Sequence, residues 1–365
     1  MAGTAPLSRE VELPAPCRDL VREVDAELDR LLRDHRRRMV AEDPGVSGPF
    51  EELDRIVGAG GKRLRPLFCL LGYQAGRGEP GPEVIRSAAA LELLHTFAIV
   101  HDDVMDRSRV RRGRPASWVE LAETHRREGM RGDPASFGVA AAVLVGDLAL
   151  ILADHAFLAS GFPPARLLPA MHRYNRMRAE MVAGQYLDVL AAHAGPVDEA
   201  KARRVAVLKS GLYTVEGPLH IGCHLAGGGP DVLAMLSRYG VPLGEAFQIR
   251  DDVLGVFGDP STTGKDRDSD LREGKRTVLV ARTLGLVGDP DRRFIEERLG
   301  RADLSAEEVA RIRSLMEESG ALASTLQLIR ELTDEAQSAI EPEVAPPEVA
   351  ETLRVMADVL ALRGA

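Results

Sequence analysis

The sequence predicts an all-α protein, built as a single-domain bundle of long helices. Apolar residues recur at helical spacing over long stretches, whereas period-two alternation bounded by hairpin turns is not found. Aromatic residues, which favour strands, make up only 4% of the chain. No repeat of solenoid length occurs, so we expect one domain rather than a repeat array.

Composition narrows the class of function. The 365 residues are 45% hydrophobic and 28% charged, as is usual for a globular protein with a sizeable core. The formal net charge of −9 argues against nucleic-acid binding, although local basic clusters leave room for small phosphorylated ligands. Cys17, Cys69 and Cys223 lie far apart without a CxxC motif, which argues against disulfides or a zinc site and favours the cytoplasm.

The N-terminal part of the chain predicts a tail followed by helices. Residues 1–17 are Pro-rich and aperiodic, so we expect a mobile tail and then one domain over residues 18–365. The tail lacks the basic and apolar blocks of a signal peptide. A long pattern opens at Pro82 and runs to Asp106; its middle is apolar nearly all round, which predicts a buried helix.

The rest of the chain continues the helical pattern. Ser305 and Glu308 have the form of a capping box, Gly320 is a stop signal, and Pro347 opens a last helix that runs to about Leu362. Further long helices are predicted over residues 168–192, 199–226 and 231–256.

The most apolar stretch, residues 135–153, is interrupted by Asp147. A membrane-spanning helix needs roughly 20 predominantly apolar residues. We therefore expect a buried core helix here and no membrane span.

Two acidic clusters lie within apolar, helix-periodic sequence. The first holds Asp102, Asp103 and Asp106, and the second holds Asp251 and Asp252. On a helix, the first and last carboxylates of the first cluster lie one turn apart on the same face. Mg²⁺ prefers oxygen ligands and is often held by one or two carboxylates plus substrate phosphates. A solvated acidic face is the alternative for either cluster alone, but the pair favours a metal site.

Basic residues also occur in a glycine-rich segment that precedes the first acidic cluster in the sequence. The segment from Gly58 to Pro66 combines glycines with Lys62 and Arg65, which favours phosphate binding. It is not a Walker A loop, because Arg63 follows the lysine where Ser or Thr is required. Acid for a metal and base for an anion together predict a Mg²⁺–diphosphate site, and solvated basic loops are the alternative.

The motifs in order resemble those of the trans-isoprenyl diphosphate synthases, or polyprenyl synthetases. They are GGKRLRP, HDDVMD followed by RRG, GQYLD, Lys209-Ser210, FQIRDD and GK…DLREGKRT, and they span about residues 58–280. The resemblance implies an all-α bundle around a deep central cavity, usually as a homodimer. It also implies head-to-tail condensation of isopentenyl diphosphate with an allylic diphosphate of five to fifteen carbons.

The resemblance assigns residues by motif. For isopentenyl diphosphate it implies Lys62, Arg65, His95 and Arg112. For the allylic diphosphate it implies Arg111, Lys209, Ser210, Gln248, Lys265 and Lys275. For the metal it implies Asp102, Asp103, Asp106, Asp251 and Asp252, with three Mg²⁺ ions per site and Mn²⁺ as a substitute. The metal aspartates with Arg111, Lys209 and Lys265 form the implied catalytic set. One departure is Gly255, where many members have Asp, so metal affinity at the second cluster is in question.

Product length depends on what closes the cavity below the first cluster. Phe97 lies five residues and Ala98 four residues before Asp102, a pattern that resembles members that stop at C20. We predict geranylgeranyl diphosphate, with the C15 product farnesyl diphosphate as the alternative.

Rival functions remain open. A class I terpene cyclase also binds metal ions through acidic residues, but it needs no isopentenyl diphosphate pocket. An inactive partner subunit of a synthase should lack one or more of the metal-binding aspartates.

Overall fold

Helices fill the first half of the protein. The computed structural model describes residues 13–193, 198–258 and 268–361. The helices up to residue 193 are α1 (Ala15–Glu42), α2 (Ser47–Gly58), α3 (Leu64–Ala75), α4 (Pro82–Met105), α5 (Ser117–Arg127), α6 (Pro134–Leu158) and α7 (Pro164–His193). A 3₁₀ turn, Pro44–Val46, links α1 to α2. A two-residue antiparallel pair, β1 (Val110–Arg111) with β2 (Arg114–Pro115), links α4 to α5.

The second half is also helical. It contains α8 (Glu199–Val205), a π-helical segment (Ala206–Glu216), α9 (Gly217–Ala226), α10 (Pro230–Phe257), α11 (Ser269–Glu273), α12 (Val278–Leu286), α13 (Asp289–Arg298), α14 (Ala306–Glu318), α15 (Ala321–Ser338) and α16 (Pro347–Ala361). The predicted all-α fold is therefore confirmed.

The helix α4 lies in the interior, as its apolar sequence predicts. It packs against α1, α3 and α6, and its residues from Ala88 to Leu94 are buried. Two hydrophobic clusters form the core, and α3 contributes to both: Phe68 packs with α10 and the C-terminal helices, whereas Leu70 packs with α1, α4 and α6. Because α3 and α4 are fixed on several sides, the loop before α3 and the end of α4 have rigid supports.

Glycines allow the π-helical segment to approach its neighbours closely. A Cβ on Gly184 of α7 would overlap the backbone of Lys209, and a Cβ on Gly244 of α10 would lie 2.6 Å from the Cα of Gly211. Any larger residue would push these helices apart. Because these glycines have no side chains, the π-helical segment that carries Lys209 can pack closely between α7 and α10.

Local signals near the C-terminus behave as predicted. The Glu308 backbone N–H donates to Ser305 Oγ at 3.2 Å, and the Ser305 N–H donates to Glu308 Oε2 at 2.9 Å, so the capping box is confirmed. Gly320 follows α14 in the left-handed conformation, with φ of 80°.

The structure corrects three expectations. The first helix begins at Ala15 and buries Cys17, so the tail cannot extend to residue 17; residues 1–12 lie outside the described residues. The helix predicted over 199–226 changes to π-helical geometry at Ala206–Glu216. The strand pair between α4 and α5 was missed, because two-residue strands are too short for an alternating pattern.

The helix α6 differs most from its expected burial. By length and composition, α4 and α6 could each cross a membrane, but the most apolar part of α4 is 67% buried and that of α6 only 33%. Ala142, Gly146 and Ala149 face the core, whereas Leu144 and Ile151 are more than half exposed. The expectation of a buried core helix was therefore wrong, and α6 has one apolar face that the described residues leave exposed.

Candidate active site

The first acidic cluster lies at the end of α4. Asp102 and Asp103 occupy the last turn of the helix, and the Asp106 N–H caps it by donating to the Asp102 carbonyl at 2.8 Å. Gln185 Nε2 on α7 donates to Asp102 Oδ1 at 3.0 Å, and Lys209 Nζ lies 3.4 Å from the same oxygen. The cluster is thus fixed from two neighbouring elements.

Asp103 differs from its neighbours because its carboxylate is bound by the guanidinium of an arginine. It is 2% exposed, and Arg111 Nε donates to its Oδ1 at 2.9 Å, with a second bond from the same guanidinium. Burial alone would lower the pKa of Arg111, but Asp103 and Asp102 raise it, so the guanidinium stays charged. Asp103 holds Arg111 in place beside Asp102.

The second acidic cluster lies near the end of α10 and borders a small cavity. Gln248 Nε2 donates to Asp252 Oδ1 at 2.7 Å. Residues of α7, α8, the π-helical segment, α10 and the segment 270–277 line a cavity of about 50 Å³, which we call the acidic cavity. Its polar lining includes Asp188, Lys209, Gln248, Asp251, Asp252, Asp270 and Lys275. Because Lys209 also contacts Asp102, this cavity adjoins the first cluster.

The two clusters concentrate negative charge. Burial, and then the charge of Asp102, raises the pKa of Asp106 to about 7. Burial, and then the charges of Asp270 and Asp251, raises the pKa of Asp252 to about 8. Carboxyl groups that hold a proton this firmly favour a cation in its place.

The donor set fits a hard metal ion such as Mg²⁺, since all candidate ligands are carboxylates on two helices. Within the described ranges, no three His, Cys, Asp or Glu side chains are grouped closely enough to hold an ion by themselves. A metal ion here would therefore need oxygens from a substrate as well.

Positive charge gathers at a second place, around the loop between α2 and α3. We call Lys62, Arg65, His95 and Arg112 the anion cradle. The Arg65 guanidinium lies 4.3 Å from the centre of the Tyr213 ring and donates to Thr214 Oγ1 at 2.8 Å. Arg65 Nε and His95 Nδ1 are buried and have no hydrogen-bond partner among the described residues, and buried polar atoms are rarely left so.

The pKa values in the anion cradle all move in one direction. Desolvation lowers the pKa of Lys62, Arg65 and Arg112, and neighbouring arginines lower those of Lys62 and Arg112 further. Burial, and then Arg65 and Arg112, lowers the pKa of His95 well below its ordinary value, so its ring is neutral. A bound anion would relieve this repulsion.

Sequence reasoning missed the residue that supports the cradle. Arg63 is 5% exposed and in the left-handed conformation, with φ of 46°. Its guanidinium donates to Asp25 at 2.8 Å, to Glu92 at 2.7 Å and to the Val57 carbonyl at 2.7 Å. These bonds tie the loop to α1, α2 and α4. Neither the motif nor the spacing distinguishes it from solvated arginines.

Other residues that the sequence left without a role are also placed here. Asp188 Oδ2 accepts from Lys209 Nζ at 2.7 Å. Gln185 and Asp188 lie one helical turn apart in the GQYLD motif, which is a signal that could have identified both.

The remaining predicted residues lie in different parts of the molecule. Lys275 reaches the acidic cavity, and Ser210 follows Lys209 on the π-helical segment. Phe97 and Ala98 are half-buried on α4, one turn or more before Asp102. Lys265 lies outside the described residues.

Comparisons with known proteins agree on one group of enzymes. The family model described as polyprenyl synthetase matches residues 50–316. A geranylfarnesyl diphosphate synthase from Aeropyrum pernix is 35% identical over 73% of this chain and 79% of its own length. A geranylgeranyl diphosphate synthase from Methanosarcina mazei is 34% identical over 70% of this chain and 71% of its own.

A solved structure is similar over nearly the whole chain. The geranylgeranyl pyrophosphate synthase from Corynebacterium glutamicum, in complex with isoprenyl diphosphate and magnesium, has a TM-score of 0.89 and 35% identity. The match covers 94% of this chain and 98% of that one.

Proposed function

Because the chain belongs to the polyprenyl synthetase family and is a trans-prenyltransferase, we propose that it extends allylic diphosphates with isopentenyl diphosphate to a C20 product. The allylic substrates carry five to fifteen carbons. The observation that carries the proposal is the arrangement of an anion cradle beside two acidic clusters. The anion cradle binds one diphosphate directly through basic side chains, and the acidic clusters bind the other through metal ions.

The anion cradle binds isopentenyl diphosphate. Arg65 Nε, which has no partner in the part of the chain that the structure describes, donates to a phosphate oxygen, and neutral His95 donates one ring N–H. Lys62 and Arg112 are exposed at the rim and close on the same anion. Arg63 holds the loop in place while they do so.

The acidic clusters bind the allylic diphosphate. Mg²⁺, when bound there, neutralises charge on the departing diphosphate. We assign Asp102, Asp106, Asp251 and Asp252 as ligands, and Asp103 as the residue that positions Arg111. Three ions per site, and replacement of Mg²⁺ by Mn²⁺, belong to this proposal.

Fixed positive charges complete the allylic site. Burial would lower the pKa of Lys209, but Asp102 and Asp188 raise it, so its ammonium stays protonated beside the diphosphate. Arg111, Lys275, Ser210 and Gln248 belong to the same site, and Lys265 completes the proposed set.

These groups favour cleavage of the allylic C–O bond, in which the diphosphate keeps the electron pair. The double bond of isopentenyl diphosphate then forms the new C–C bond, and a proton is lost to the diphosphate. Aligning two bound substrates can itself contribute roughly 7–11 kcal/mol to lowering the barrier.

Phe97 and Ala98 set product length in this proposal. The Phe97 ring packs edge-on to His101 at 4.6 Å, and His101 Nε2 lies 3.0 Å from the Val143 carbonyl on α6. Phe97 is therefore linked to α6 through His101, which supports its proposed role as the cavity floor.

The exposed apolar face of α6 and α7 suits a second copy of this chain. Leu144 and Ile151 on α6 and Val182 and Tyr186 on α7 are each more than half exposed. We propose a homodimer through this face. We also place the protein in the cytoplasm, because its three cysteines are buried and unpaired.

One incubation tests the proposed reaction. The protein is given Mg²⁺, isopentenyl diphosphate and, separately, the C5, C10 or C15 allylic diphosphate, and products are sized by mass spectrometry. We expect a C20 diphosphate from each starter. A product that stops at C15 would contradict the assigned length. Conversion of an allylic diphosphate to a hydrocarbon without use of isopentenyl diphosphate would identify a cyclase.

A further inference from the structure

The π-helical segment Ala206–Glu216 contacts both of the regions that are proposed to bind a diphosphate. Near its start, Lys209 Nζ lies 3.4 Å from Asp102 Oδ1 in the first acidic cluster. Five residues later, the Thr214 hydroxyl accepts a hydrogen bond from Arg65 of the anion cradle at 2.8 Å. One segment therefore carries a cation into the first region and supports a cation of the second.

The π-helical geometry places these two positions on the same side of the segment. In an α-helix, residues that are five apart lie about 140° from each other around the axis. In a π-helix the backbone hydrogen bonds join residues five apart, so such residues lie roughly one turn above each other. The change to π-helical geometry at Ala206 thus brings Thr214 to the side that carries Lys209. Such geometry is rare and is frequently found at functional sites.

Arg65 is held from two directions by this segment. Its terminal nitrogen Nη2 donates to the Thr214 hydroxyl, and its guanidinium lies 4.3 Å from the centre of the Tyr213 ring. Burial lowers the pKa of Arg65, and a hydrogen bond to a buried charge is stronger than one in water. Arg65 Nε is buried and has no hydrogen-bond partner among the described residues. Because Nη2 and one face of the guanidinium are fixed, the direction of the Nε–H bond is fixed as well.

A buried ion pair fixes the end of the segment. The Glu216 carboxylate is bound by the guanidinium of Arg173 on α7, and Ser237 Oγ on α10 donates to Glu216 Oε1 at 3.4 Å. Two neighbouring helices thus hold the backbone two residues after Thr214. The Thr214 hydroxyl is itself fully buried, so it has a rigid support.

We propose that Thr214 is a positioning residue for Arg65 in the binding of isopentenyl diphosphate, and that the π-helical geometry places it there. The inference rests on the proposed function, because it assumes that the anion cradle binds this substrate. The hydroxyl acts only through Arg65, whose guanidinium it orients so that Nε donates to a phosphate oxygen. Without the hydroxyl, Nη2 loses its acceptor and the guanidinium is no longer held in one orientation.

Single and double substitutions test this role. Thr214→Val keeps the shape of the side chain and removes the hydroxyl, whereas Thr214→Ser keeps the hydroxyl. Arg65→Gln and Arg65→Gln/Thr214→Val complete a double-mutant cycle. The matched control is Thr283→Val on α12, because Thr283 is also fully buried and its hydroxyl donates to the Leu279 carbonyl at 2.7 Å. KM is measured for both substrates, and binding of isopentenyl diphosphate in EDTA is measured by calorimetry.

We expect Thr214→Val to raise KM for isopentenyl diphosphate by about tenfold, because a hydrogen bond to a charged group is lost. The dissociation constant in EDTA should rise in parallel. KM for the allylic substrate should stay close to the wild-type value, since Lys209 on the same segment is not displaced. Thr214→Ser should recover most of the affinity, and Thr283→Val should bind as the wild type does. In the Arg65→Gln protein, Thr214→Val should have no further effect.

Four results separate the possible failures. A wild-type KM for isopentenyl diphosphate in Thr214→Val, or an equal rise for both substrates, would overturn the inference. An undiminished effect of Thr214→Val in the Arg65→Gln protein would show that Thr214 does not act through Arg65. A wild-type protein that does not bind isopentenyl diphosphate would instead overturn the proposed function, and the inference with it. If Thr214→Val does not fold, as judged by circular dichroism, Thr214→Ala removes the same acceptor without a methyl group beside the guanidinium and decides the question.

Discussion

The anion cradle combines three cations, Lys62, Arg65 and Arg112, with a neutral His95, whereas the acidic clusters gather carboxylates around Asp106 and Asp252. The pKa values of the cradle are lowered, and those of the two carboxyl groups are raised. Each region therefore holds like charges together at a cost to the folded state. In the proposed function, this difference keeps two similar diphosphates apart, because one region binds an anion directly and the other binds it through a metal ion.

The largest expected effect comes from breaking the first acidic cluster. Asp102→Asn should lower kcat by about a thousandfold or more, since a preorganised charge at the leaving group is lost. Turnover is measured with saturating substrates and Mg²⁺. The matched control is Asp29→Asn, on the exposed face of α1. Substantial activity in Asp102→Asn would contradict the metal assignment.

A smaller effect is expected from the anion cradle. Arg65→Gln removes a charged donor to phosphate, so KM for isopentenyl diphosphate should rise roughly 10–100-fold. KM for the allylic substrate should change little. If the KM values for both substrates rise together, the two regions do not bind separate substrates.

The carboxyl groups also predict an effect of pH on stability. Burial and neighbouring carboxylates raise the pKa of Asp252 to about 8, against about 4 for an unperturbed Asp, so the folded protein binds more protons between these values. The free energy of unfolding therefore falls as pH rises through this window. Metal-free Asp252→Asn should lose less stability than the wild type from pH 6 to 8.5, by about 1–2 kcal/mol. Denaturant unfolding at the two pH values measures the free energy of unfolding of both proteins. Equal losses in the variant and the wild type would contradict the raised pKa.

The smallest effect on rate should come from the cavity floor. Phe97→Ala removes a ring that is braced by His101, so products should grow by at least one isoprene unit while turnover stays within several-fold. Ala98→Phe is the opposite change and should shorten the product. If Phe97→Ala still stops at the wild-type length, these residues are not the floor.

How far the sequence predicts this molecule depends on how local each signal is. The start of α4 at Pro82 and the Ser305 cap depend on neighbouring residues, so both could be predicted. Arg63 gains its position from helices that lie far away in sequence, so no local pattern reveals its role. The exposed face of α6 was mispredicted because apolar sequence alone does not distinguish a buried helix from one with an exposed apolar face.

The central claim is that the two regions bind two diphosphates by opposite means. Calorimetry with the wild-type protein tests it directly, with each substrate titrated separately in EDTA and in Mg²⁺. We expect isopentenyl diphosphate to bind with similar affinity in both buffers, whereas the allylic diphosphate should bind only with Mg²⁺. A requirement for Mg²⁺ in the binding of isopentenyl diphosphate, or equal binding of the allylic diphosphate without it, would contradict separate modes of binding.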